Sequence, residues 1–183
     1  MTYDFASCFE KLSGFAHKVG SMEAAAEKIS EICKEQKVGC IALANLSDKL
    51  VAEIEHLCPE VKILKEPYAS ETLPLAIDEA QIGVTGMEFG IAQSGTMVEV
   101  STNDAVRLVS SLPRTHIGVI HQGDIIDTYF ASSSRIRDIL HSHDANVVVS
   151  FISGPSRTGD IELKLTLGVH GPEEAHAVII EDS

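Results

Sequence analysis

The chain has 183 residues, enough for one domain with a sizeable core. Hydrophobic residues make up 44% and charged residues 22%, with no Trp, so aliphatic side chains must fill the interior. Fourteen Lys and Arg against 27 Asp and Glu give a net charge of −13, which repels a phosphate backbone and excludes nucleic acid as an expected partner. Cys8, Cys33, Cys40 and Cys58 form no C-x-x-C pair. Their spacing fits buried free thiols in a reducing cytosol rather than a zinc or iron–sulfur site. The acidic opening Met1-Thr2-Tyr3-Asp4 lacks the apolar run of a secretory signal, and no stretch is long and apolar enough for a membrane span. A cytoplasmic location is therefore expected.

Phe5, Phe9, Leu12, Phe15 and Val19 recur at helical spacing and predict a helix over residues 3–19, interrupted at Gly14. Gly20-Ser21 breaks the pattern. Ser21 suits the N-cap of a second helix through about Gln36, and Gly39 can end it. Residues 1–38 thus read as an N-terminal helical arm packed on a domain spanning residues 39–183. From Cys40 the period changes. Residues 40–44 read as a strand, 48–57 as a helix and 61–64 as a strand. This order predicts an α/β fold with a mainly parallel sheet flanked by helices. Residues 65–75 contain Pro67 and Pro74 and read as loop. Residues 80–84, 90–92 and 96–100 read as short strands separated by turns at Thr85-Gly86 and Ser94-Gly95. Asn103 or Thr102 caps a helix through Ser111, stopped by Pro113. A strand over 116–120 and a helix over 128–140 follow, and strands over 146–152 (buried) and 177–180 complete the sheet.

The most informative segment is Ser153-Gly154-Pro155-Ser156-Arg157-Thr158-Gly159-Asp160-Ile161-Glu162, closed by Gly168-Val169-His170-Gly171-Pro172. It adds little to a core, is dense in hydrogen-bonding groups, and follows a strand, where α/β proteins place their sites. Gly154 and Gly159 permit close backbone approach. Backbone N–H groups, with the hydroxyls of Ser153, Ser156 and Thr158, suit a small anion that Arg157 would neutralise. A helix opening near Gly159 would add its dipole, with Asp160 in the first turn as a cap or a catalytic carboxylate. The competing reading is a tight strand–helix connection, with Asp160 capping and Arg157 paired on the surface. His170, beside Gly171, suits an acid–base or hydrogen-bonding role, or simply a turn. Asp160 and His170 are the candidate catalytic residues. Thr85-Gly86 and Ser94-Gly95-Thr96 form a second, hydroxyl-lined set that shapes a pocket. P-loop, G-x-G-x-x-G and G-x-S-x-G spacings are absent from the chain. Arg114 and His116 read as surface groups or as pocket walls, and His141-Ser142-His143 as a solvated loop rather than a metal site.

Taken in order, Gly83-Val84-Thr85-Gly86, Gly90-Ile91-Ala92-Gln93-Ser94-Gly95-Thr96, the Ser153-to-Glu162 block and Gly168-Val169-His170-Gly171-Pro172 resemble the LUD-domain family over roughly residues 40–182. The resemblance implies the α/β fold shared with ribose-5-phosphate isomerase, CoA transferases and 5-formyltetrahydrofolate cyclo-ligase. It also implies a cytoplasmic role in oxidising L-lactate to pyruvate, alongside two lactate-utilization partner proteins that carry iron–sulfur clusters. This chain itself is expected to bind no cofactor and no metal. The alternative is a stand-alone enzyme or sensor for a small phosphorylated, carboxylated or CoA-type anion.

Overall fold

A computed structural model describes residues 2–143, 146–159, 165–168 and 170–181. In chain order the first half runs α1 (Phe5–Glu10), β1 (Phe15–Val19), α2 (Met22–Glu35), β2 (Cys40–Ala44), α3 (Asp48–Leu57), β3 (Lys62–Lys65) and α4 (Leu75–Asp78). The second half runs β4 (Ile82–Gly86), β5 (Phe89–Ile91), β6 (Thr96–Ser101), α5 (Asp104–Ser111), β7 (Thr115–His121), β8 (Ile125–Ile126), α6 (Ser132–Ser142), β9 (Val148–Ile152), β10 (Arg157–Gly159), β11 (Leu165–Leu167) and β12 (Glu174–Ile180).

Six strands form a parallel sheet in the order β1-β12-β7-β4-β2-β3. Its central strands are buried on both faces, which is why β2 and β7 read as nearly continuous apolar runs. One face carries α2 and α3. There Ala25, Ile29 and Ile32 of α2 and Leu50 and Ile54 of α3 meet Ile41, Val84, Ile117 and Val178. Ser21 and Ser47 cap these helices through their side chains, at Ala24 N and Leu50 N. On the other face, α4 and α5 cover β2, with Ile77, Val106 and Val109 against Ala42. Beside them, α1 and a second sheet cover β7 and β12.

This second sheet, β8-β5-β6-β9, is mixed: β5–β6 and β6–β9 are antiparallel and β5–β8 is parallel. Met97 of β6 packs toward the main sheet among Ile120, Ala177 and Ile179. Val98, the next residue, packs outward with Phe89 and Ile139 of α6. The second sheet is therefore a middle layer, and residues alternating along β6 are buried on both sides. Among the described residues no helix is long and apolar enough to cross a membrane.

Several expectations change. Residues 3–19 are not one helix: α1 stops at Glu10, and Phe15–Val19 pairs with β12 in the main sheet. The backbone reverses through Ser13, at φ 68°, and Gly14, so the later apolar residues follow a strand instead of a helical stripe. The strand after residue 147 joins the second sheet, and its residues Val148 and Phe151 are exposed rather than buried. Arg157–Gly159 is a strand, pairing antiparallel with Leu165–Leu167, and no helix opens at Gly159 among the described residues. Asp160, placed by the sequence in a first helical turn, lies outside the described residues.

Candidate functional site

The two glycine-rich loops meet. Ser156 N donates to Pro172 O at 2.8 Å, and Gly168 N to Ser156 O at 2.9 Å. Gly171 packs against Ser156, with room for no more than a tight Cβ contact at 3.2 Å. Gly154 has φ +91°, and a Cβ there would lie 2.6 Å from Leu12 O in the turn after α1, so only glycine fits. The hydroxyl-lined turn joins the same structure. Ser94 Oγ and Thr96 Oγ1 are 2.7 Å apart, as are Thr96 Oγ1 and Ser153 Oγ, so three hydroxyls link the 94–96 turn to the 153 loop. Gly95 at φ +55° sits directly on the backbone of Cys8 and Phe9.

These loops form one wall of a cleft of about 400 Å³. Ser153, Gly154, Ser156, His170 and Gly171 line it, facing Arg107, Ser110 and Ser111 of α5, His116 of β7 and Ser150 of β9. Of the remaining residues proposed from sequence, Thr85 lies fully buried beneath the cleft and Gly86 accepts a hydrogen bond from Asn45 Nδ2 at 2.9 Å. Arg157 is exposed at the start of β10, and Thr158 follows it in that strand. The guanidinium that lines the cleft belongs to Arg107, which also pairs with Asp104. The cleft opens beside the starts of β7 and β12, at His116 and Ala175, instead of the carboxyl ends of the parallel strands. Because β9 belongs to the second sheet, its end delivers the 153–156 loop to the chain entering β12.

The floor is polar and closed. His116, for which the sequence left surface group or pocket wall open, lines the cleft and is 1% exposed, and its Nε2 lies 2.8 Å from Thr85 Oγ1. Its position on β7 places it on the face covered by α5 and the second sheet, which removes it from water. Glu99 of β6 is 0% exposed and stands opposite Ser150 of β9. Both Glu99 carboxylate oxygens and Nδ1 of His116 are buried without a hydrogen-bond partner among the described residues. Each such group costs about 1–3 kcal/mol, so a fold that retains them needs a reason. Burial pushes the Glu99 pKa up, while the Ser110, Ser150 and Thr85 hydroxyls and the Arg107 charge act against it. Burial, helped by His176, pushes His116 down to about 3, so its imidazole is neutral near pH 7. Chemically the cleft offers hydroxyls, a cation and His170, over the neutral imidazole of His116 and a buried acid.

Glu99 and Ser150 escaped the sequence reading, as did the placement of Arg107. Because β6 is buried on both faces, Thr96-Met97-Val98-Glu99-Val100 shows no polar face to set Glu99 apart. The available signal was a single carboxylate inside an apolar strand. A larger groove, about 860 Å³, lies on the other side of α5 between Tyr68, Leu73 and Arg107. Its most buried polar group, the Tyr68 hydroxyl, is already committed to the carbonyl oxygens of Leu43 and Leu64. The smaller cleft is therefore the better site. At the end of α6, His143 Nδ1 lies 2.9 Å from Ile139 O, and its neighbours His141 and Ser142 are exposed.

A helix-flanked parallel sheet with a second sheet laid over it, enclosing a Ser-Gly-Pro-Ser/His-Gly-Pro cleft, defines a class of α/β protein rather than a known active-site architecture. The LUD domain is matched over residues 4–180, and the chain belongs to the LUD-domain family. It is 37% identical over 108 residues to lactate utilization protein C of Bacillus licheniformis, covering 57% of this chain and 44% of that protein. The protein of the same name from Bacillus subtilis is 36% identical over 106 residues, with coverage of 57% and 44%. The chain thus spans less than half the length of these two relatives. A longer match, to lactate utilization protein C of Macrococcus caseolyticus, is 28% identical over 159 residues and covers 85% of this chain and 68% of that one. A crystal structure of a DUF162 family protein from Deinococcus radiodurans shares the fold at TM-score 0.63 and 17% identity, covering 96% of this chain and 93% of that one.

Proposed function

We propose that this chain works in the cytoplasmic oxidation of L-lactate to pyruvate, beside two partner proteins that carry the iron–sulfur clusters, and that its cleft binds a small carboxylate. The observation that carries this reading is the set of relatives named lactate utilization protein C. The cleft supplies suitable chemistry. Ser153 and Ser156 offer hydroxyls, the Gly154 and Gly171 segments bring backbone close to a ligand, and Arg107 and His170 supply donors. Arg157, Thr158 and Asp160 complete the ligand set proposed from the sequence, with Asp160 and His170 the candidate acid–base groups. The cysteines suit a chain that leaves redox centres to others: Cys33, Cys40 and Cys58 are buried, and burial pushes the Cys33 thiol up to about 12.

Deleting the gene from its native host tests the pathway. Growth on L-lactate is expected to fail, and tagged protein is expected to co-purify with iron–sulfur partners. Normal growth together with no such partner would overturn the reading. For the site, L-lactate or pyruvate at 100 times its Kd should stabilise the protein by about 2.7 kcal/mol. Arg107→Ala should weaken that shift more than Arg157→Ala does.

The second reading, a stand-alone enzyme or sensor for an anionic metabolite, is supported by the hydroxyls of Ser110, Ser153 and Ser156 and by Arg107, which together line the cleft. It predicts a thermal shift with organic acids, nucleotides or CoA esters for the purified chain without partners.

A further inference from the structure

Ser94, Thr96 and Ser153 hold three hydroxyls in a row. Ser94 Oγ lies 2.7 Å from Thr96 Oγ1, and Thr96 Oγ1 lies 2.7 Å from Ser153 Oγ. The sheet register makes the second contact. Met97 of β6 pairs antiparallel with Ile152 of β9, so Thr96 and Ser153, the next residues outward, face each other across the ladder. One segment pins both turns from behind: Gly95 sits on the backbone of Cys8 and Phe9, and Gly154 on Leu12 O. Ser153 lines the cleft, Thr96 is buried at 3% exposure, and Ser94 is half-buried at the far end of the row. Three hydroxyls carry three protons, and their two contacts use two of them. When Ser94 donates to Thr96 and Thr96 to Ser153, the spare proton is on Ser153. When Ser153 donates to Thr96 and Thr96 to Ser94, Ser153 has only lone pairs left to offer. Both arrangements keep both contacts, so reversal loses no hydrogen bond within the row. Thr96 Oγ1 also lies 3.4 Å from Ser94 O, a long contact that competes weakly for its proton.

We propose that this reversible hydroxyl row lets one cleft recognise both a 2-hydroxy acid and the matching 2-oxo acid, an inference that rests on the cleft being a carboxylate site. A 2-hydroxy acid brings an O–H, which donates to Ser153 Oγ while Ser153 donates to Thr96. A 2-oxo acid brings a carbonyl oxygen, which accepts from Ser153 while Thr96 donates to Ser153. Ser153 thus reads the one group that differs between the two acids. Arg107, on the same cleft, serves the carboxylate that they share. No covalent bond changes in either acid; only the direction of donation along the row reverses. Thr96 and Ser94 do not touch the ligand. They are positioning residues that act through Ser153.

Calorimetric titration of the full chain with sodium L-lactate and, separately, sodium pyruvate tests the row, and wild type should bind both. Ser94→Ala removes the far acceptor. With lactate bound, Thr96 then has only the carbonyl at 3.4 Å for its proton, whereas with pyruvate bound it still donates to Ser153. Lactate affinity should therefore fall about fivefold further than pyruvate affinity. A residue that merely supported the loop would move both alike. Thr96→Val should weaken both acids by about tenfold, and Thr96→Ser should keep both. Equal effects of Ser94→Ala on the two acids, no effect on either, or full affinity in Thr96→Val would overturn the proposal while leaving the cleft a carboxylate site. Wild type that binds neither acid sinks the carboxylate reading itself, and two-way recognition with it. Urea unfolding without ligand judges the contact separately: Thr96→Val and Ser153→Ala should be non-additive, and additive losses overturn the row.

Discussion

Replacing Glu99 by methionine removes a carboxyl group that the fold buries completely and that has no hydrogen-bond partner among the described residues. Methionine is similar in length and carries no polar atom that needs a strong partner. Relieving the unsatisfied acid should stabilise the protein by about 1–3 kcal/mol even where Glu99 is protonated. At this chain length that is about 2–4 °C in Tm per kcal/mol. The gain must also depend on pH. Burial raises the folded pKa of Glu99 above its ordinary value of 4.5. The folded state therefore holds its proton longer than the unfolded chain does. Wild type has this contribution in full below pH 4.5 and loses it as pH rises through the folded pKa, by up to about 1.4 kcal/mol per unit. The variant has no such loss, so its advantage should widen between pH 5 and 8. Urea unfolding followed by circular dichroism at pH 5, 6.5 and 8 measures both parts. A destabilised variant, or an offset that stays constant with pH, would refute the assignment of Glu99 as a strained buried acid. A more stable protein with a weakened response to pyruvate would show that the acid is kept for function.

His116 gives the opposite slope. Its folded pKa, near 3, lies below the ordinary 6.5, so its contribution is present above pH 6.5 and is lost as pH falls toward 3. His17, pushed down to about 4 by burial and by His176, acts in the same direction over an overlapping window. His116→Gln should narrow its stability gap to wild type as pH drops from 6.5 to 4.5; parallel curves would count against a buried neutral imidazole. Gly154→Ala forces a side chain into φ +91° and against Leu12 O, and should cost about 1–3 kcal/mol in thermal unfolding while displacing the loop that carries Ser153 and Ser156. Asn103 Oδ1 accepts from Val106 N and caps α5, so Asn103→Ala should cost about 1 kcal/mol and loosen Arg107 and Ser110, read as weaker ligand binding than the stability loss alone explains.

Local signals were legible where one residue decides the backbone. Ser21 and Asn103 sit at the N-caps of α2 and α5, with β2 and α3 at their expected positions. The same kind of reading failed at Phe15–Val19, because alternate residues of a strand and residues on a helical stripe select overlapping sets when the run is five residues long. The 153–156 and 170–172 segments stood out through composition alone, since a glycine-hydroxyl cluster serves no core. That they face each other follows from a Ser156–Pro172 hydrogen bond formed only after β12 enters the sheet. Sequence by itself determined the parallel α/β character, the helix caps and the loop that would carry a site. Only the tertiary structure decided which groups lie under that loop. Glu99, Thr85 and His116 are separated along the chain by whole strands and helices, and a carboxylate inside a strand shows its burial only when a second sheet closes over it. Their burial, and the lack of a partner among the described residues for the Glu99 carboxylate and Nδ1 of His116, are properties of packing between layers, and no local pattern of residues encodes them.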